Sequence, residues 1–82
     1  MRDQIQRLML RSLLRMGNTP MGEEALFDTC RVVYQPRPTD ADLRDALNGL
    51  EASGHVIGKT VELAGRFWSL SVKGMFLAQS LN

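Results

Sequence analysis

Apolar residues recur along the chain in two different rhythms, and the change of rhythm divides it into elements. Ile5, Leu8, Met9, Leu13 and Met16 return at helical spacing and predict a first helix over residues 2–16 with one buried stripe. Gly17 is a natural stop, and Pro20 follows closely. Residues 19–21 are expected to run extended. A second helix starts near Gly22, where Glu23 and Glu24 suit the positive end of a helix dipole. Leu26, Cys30 and Val33 fall on its inner face, with Thr29 and Tyr34 beside them. It ends before Gln35, Pro36, Arg37 and Pro38, because a residue preceding proline is pushed out of helical geometry.

The third helix carries the clearest local signature. Thr39 is placed to cap it and Asp42 stands three residues on, a capping box with aspartate in place of glutamate. Leu43, Ala46, Leu47 and Leu50 form its inner face, and Gly54 supplies a left-handed stop. The rhythm then changes. Val56, Ile57, Thr60 and Val61 precede a turn at Ala64 and Gly65, and Phe67, Trp68, Ser69 and Leu70 follow it. β-branched and aromatic runs on either side of a glycine read as a hairpin. Ser71 caps a last helix over roughly 72–81.

The order is therefore helix, short strand, helix, helix, two hairpin strands, helix: mainly α with a small β-hairpin wing, an α+β arrangement. The stretch LRDALNGLEASGHVI over 43–57 resembles the third helix and first wing strand of winged helix-turn-helix proteins of the MarR and PadR type. The stretch WSLSVKG over 68–74 is similar to the close of their wing, where an aromatic, a leucine, a Ser/Thr cap and a glycine recur. The resemblance covers most of the chain. It implies one winged helix-turn-helix domain over 1–82. The motifs that carry it are packing and capping signals, so they speak to fold before function.

Length agrees, since 82 residues suffice for one domain and not for two. A hydrophobic content of 44 % argues against disorder. Charges nearly cancel, at a formal +1, so no overall basic excess points to nucleic acid. Cys30 is the only cysteine and His55 the only histidine, which excludes an internal disulfide and a Cys/His zinc site. No apolar run is long enough for a membrane span, and the N-terminus does not read as a signal peptide. A cytoplasmic protein without cofactor or metal is expected.

Catalysis has no constellation behind it. Neither Gly17 nor Gly22 sits in a phosphate-loop pattern, His55 has no motif partner, and Cys30 reads as a small core residue. The winged-helix resemblance implies double-stranded DNA as the partner, read by the second helix of the pair in the major groove. With the leucines of the third helix turned inward, Arg44 and Asn48 point out one turn apart. Arginine matches guanine and asparagine matches adenine, each through two hydrogen bonds. Arg37, Lys59 and Arg66 are the candidates for phosphate contact. Against this stand Asp40, Asp42, Asp45 and Glu51 on the same helix, which bring negative charge towards the phosphates. The rival expectation is a module that docks a protein partner without binding DNA.

Two features remain. Arg7, Arg11 and Arg15 repeat every four residues as a basic stripe along the first helix. On the two terminal helices, Leu10, Leu14, Leu77 and Leu81 exceed what one inward stripe holds, if Met16 and the trio Val72, Met75 and Phe76 face the core. Those four leucines are the candidates for self-association as a homodimer, as the resemblance also implies.

Overall fold

A computed structural model describes residues 2–17 and 19–81. Its elements are α1 (Arg2–Arg15), β1 (Met21–Gly22), α2 (Glu23–Val33), α3 (Asp40–Ala52), β2 (Val56–Val61), β3 (Gly65–Leu70) and α4 (Val72–Ser80). The described residues form a small α+β domain of four helices and one three-stranded antiparallel sheet, ordered β1-β3-β2.

Local signals act where the spacing places them. Thr39 caps α3: its hydroxyl accepts from the Asp42 N–H at 3.1 Å, and the Asp42 carboxylate accepts from the Thr39 N–H at 3.1 Å. Gly17 and Gly54 both adopt positive φ as α1 and α3 end. Ser71 caps α4 by accepting from the Gly74 N–H at 3.0 Å. The hairpin pairs Val56 with Leu70 through Val61 with Gly65, so Glu62, Leu63 and Ala64 make the turn and Gly65 opens β3. The short extended piece lies at 21–22, where Met21 pairs with Trp68 and Gly22 with Phe67.

One core is enclosed between the helices and the inner face of the sheet. Ile5, Met9, Leu26, Cys30, Leu43, Leu47 and Trp68 are among its fully buried members. α1 lies across α3 and α4, so its buried face is wider than a single stripe.

That crossing places the terminal leucines differently from the single-stripe expectation. Leu10 is only 2 % exposed and belongs to the core, while Leu14, Leu77 and Leu81 pack against it. Leu10 is covered by its own chain and the other three are half-buried, with Leu10, Leu77 and Leu81 also lining an open cleft described below. Met16 instead points outward, at 41 % exposed. α4 is rotated from its expected phase for a steric reason. Gly74 lies directly on the His55 carbonyl, so α4 turns its small residues Gly74 and Ala78 inward. Leu77 and Leu81 then flank α1, while Val72 and Phe76 face outward. On α2 the inner stripe runs through Leu26, Phe27, Cys30 and Tyr34, so Val33 falls off it and is exposed.

Candidate interaction surfaces

The α2–α3 pair begins with an acidic residue that organises its surroundings. Glu23, in the first turn of α2, accepts from the Trp68 indole Nε1–H at 3.2 Å. Its other oxygen accepts from Arg44 Nη2 at 3.1 Å, and the Arg44 guanidinium lies 5.5 Å above the Phe27 ring. Arg44 therefore lies back against α2 instead of standing free of α3. Arg31 is held similarly: Asp28 and Asp40 each accept from it at 2.6 Å, and Glu24 is 3.8 Å away. These carboxylates keep the Arg31 guanidinium protonated beyond its ordinary range.

The remaining sequence candidates do not gather on one face. Asn48 is exposed on α3. Arg37 is exposed in the connection before α3. Lys59 is opposite Phe67 and Arg66 is opposite Thr60, so the strand pleat sends the two cations to opposite faces of the hairpin. Lys59 goes to the outer face. Arg66 goes to the α3 side, where it meets Glu51 at 3.8 Å and covers the Trp68 ring at 4.9 Å. Asp45 is 3.7 Å from Arg2. Residues 23–52 carry seven carboxylates against three arginines, and the rest of the chain carries seven cations against two carboxylates. The neutral total hides a polarised molecule, negative on the helix pair and positive elsewhere.

The outer face of the sheet is mainly apolar. Ile57, Val61, Phe67 and Pro20 line an open groove of about 400 Å³, together with Lys59 and Ser69. A cue was present in the sequence: β2 places Val56 inward and Ile57 and Val61 outward, so it is apolar on both faces. Leu63, at the tip of the hairpin, is fully exposed and has a positive φ of 67°.

On the opposite side, Arg7, Arg11 and Arg15 are all exposed along α1, and none forms an ion pair among the described residues. Beside Arg7 a cleft of about 250 Å³ opens between α1, α3 and α4. Leu10, Leu50, Leu77 and Leu81 form its floor, and Asp3, Arg7 and His55 stand on its rim.

Comparison with family models, curated proteins and solved structures returns no match to this chain.

Two polar residues lining this cleft, Ser53 and His55, meet each other. Ser53 Oγ lies 2.7 Å from His55 Nδ1, a spacing that resembles a nucleophile beside its base. The Ser53 hydroxyl also lies within donating distance of the Gly49 carbonyl, at 2.9 Å, and the Leu50 carbonyl, at 3.2 Å, so its one proton has three acceptors and the direction of the Ser53–His55 bond is set by the imidazole tautomer. Cys30 is fully buried, and burial pushes its thiol from 9.0 up to about 11, against a smaller lowering by Arg31. Among the described residues no group of three or more His, Cys, Asp or Glu is placed to hold a metal ion. No helix of the described residues is long and apolar enough to cross a membrane.

Proposed function

We propose that the chain is a winged helix-turn-helix domain that docks a protein partner and does not read DNA through α3. Support for the winged-helix reading comes from the element order, the β1-β3-β2 sheet and the hairpin directly after the helix pair. The observation that carries the function is the state of α3. Its one arginine is held by Glu23, and Asp40, Asp42, Asp45 and Glu51 share the helix. Affinity for duplex DNA rests largely on cations that displace counterions from phosphates. A helix of net negative charge with its arginine already paired opposes that. The apolar groove on the outer sheet face and the exposed Leu63 support a protein-docking role.

A second reading has its own support. Asn48 is free on the exposed side of α3, and Lys59 and Arg37 are exposed without ion pairs among the described residues. A small transcriptional regulator would use Asn48 on a base and those two cations on phosphates. Titration of the isotope-labelled protein with random-sequence duplex DNA at low salt separates the readings. The docking reading expects the amide signals of Arg44, Asn48 and residues 59–66 to stay in place. Saturable shifts there, lost as salt is raised, overturn it in favour of DNA.

A further inference from the structure

Of the eight arginines, Arg2, Arg31, Arg44 and Arg66 each face a carboxylate within 4 Å, whereas Arg37 and the three of the α1 stripe have none among the described residues. Arg7, Arg11 and Arg15 are separated by about 6 Å per step along the axis, so they form one row on the face opposite the core. The leucine-floored cleft opens at the Arg7 end of that row. Its volume, about 250 Å³, is below the roughly 300–1,000 Å³ of small-molecule sites. That space suits one leucine or phenylalanine side chain.

We propose that α1 and this cleft form a docking site for an acidic peptide segment bearing one large apolar side chain. The apolar side chain enters between Leu10, Leu50 and Leu77, and flanking carboxylates pair with Arg7, Arg11 and Arg15. Charge complementarity fixes the sign of the partner, because these three cations stand in one row on one helix with no carboxylate within 4 Å among the described residues. The cleft favours a peptide over a nucleic-acid backbone. A phosphate chain has no apolar group to fill a leucine floor. The proposal rests on the protein-docking reading and goes further, naming the face and the chemistry of the partner.

The test uses the whole chain and a synthetic end-capped peptide in which one phenylalanine is flanked on each side by glutamates and aspartates. Binding is expected to shift amides of residues 3–15, 53–55 and 77–81. Alanine in place of the phenylalanine should weaken it by roughly tenfold or more. The variant carrying Arg7→Gln, Arg11→Gln and Arg15→Gln, all at exposed positions, should lose on the order of tenfold. A chain that self-associates through the same arginines in sedimentation would make a second copy the occupant and overturn the proposal. Random duplex DNA shifting the α1 amides as strongly as the peptide would also overturn it, as would no peptide binding at millimolar concentration. Absence of peptide binding alone leaves the wider docking reading standing, since that reading fails only if DNA engages α3 and the wing.

Discussion

Replacing Gly74 by alanine sets local propensity against tertiary packing, and the two predict opposite signs. Gly74 sits in the first turn of α4, where alanine in an isolated helix would add about 1 kcal/mol. In the folded chain a Cβ at this position would overlap the His55 carbonyl oxygen and lie 2.8 Å from its carbon. That obstacle is backbone and cannot rotate away, so α4 must shift. Overpacking of this kind costs about 1–3 kcal/mol. The shift also strains two bonds that join α4 to the end of α3. The Ser71 hydroxyl donates to the Gly54 carbonyl at 2.5 Å, and the Ser71 N–H donates to the His55 carbonyl at 3.1 Å. Each contributes about 1 kcal/mol. After the propensity gain is subtracted, Gly74→Ala should destabilise by roughly 2–4 kcal/mol. A chain of 82 residues has roughly 4–12 kcal/mol in total. Urea denaturation followed by circular dichroism reads the change directly, and the melting temperature should fall by roughly 10–25 °C. Gly49→Ala is the control. Its Cβ would come nearest the ends of the Arg2 and Gln6 side chains, which can swing aside; losing the Gln6–Ala46 hydrogen bond and gaining helix propensity roughly offset, so its stability should stay within about 1 kcal/mol of the parent. A Gly74→Ala protein as stable as the parent, or more so, would refute the packing of α4 on His55.

Three further outcomes follow from the core and the wing. Glu23→Ala leaves the buried Trp68 indole N–H without its acceptor and should cost about 1–3 kcal/mol, with a shift in the emission of the only tryptophan; an unchanged spectrum and stability would sink the bridging role of Glu23. Cys30 should resist thiol reagents in the native state. Between pH 9.0 and about 11 the unfolded thiol ionises while the folded one stays neutral, so stability should fall as pH rises through that window. Cys30→Ala should flatten that slope, and parallel pH curves for the two proteins would contradict it. Leu63→Gly relieves a left-handed leucine that buries nothing, and should raise stability by about 0.5–1 kcal/mol in thermal melts; a loss would mean that Leu63 is held by contacts.

The limits of the elements were legible in the chain because they depend on neighbours in sequence. The Thr39–Asp42 box, the glycines at 17 and 54, and the Ser71 cap each act within a few residues, and the folded chain uses them where the spacing puts them. The alternation around a glycine likewise set out the hairpin, although the turn centres one or two residues earlier than Gly65. What could not be read was the rotation of each terminal helix about its own axis. Leu10 and Leu77 looked like surplus because one inward stripe was assumed, whereas α1 has neighbours on two sides and α4 is turned by the fit of Gly74 to His55.

The candidate site follows the same division. That α3 is acidic and that α1 carries a row of arginines were properties of composition and spacing alone. That Arg44 is held by Glu23, 21 positions away, was not, nor was the separation of Lys59 from Arg66 by the sheet pleat. The leucine cleft beside Arg7 is further still from sequence, since its floor comes from three helices. Local chemistry settles where helices and strands begin and end, because capping and turn geometry need only adjacent residues. Which charges remain free, and which apolar residues are covered, is decided by which elements meet, because pairing and burial are properties of contacts between distant parts of the chain.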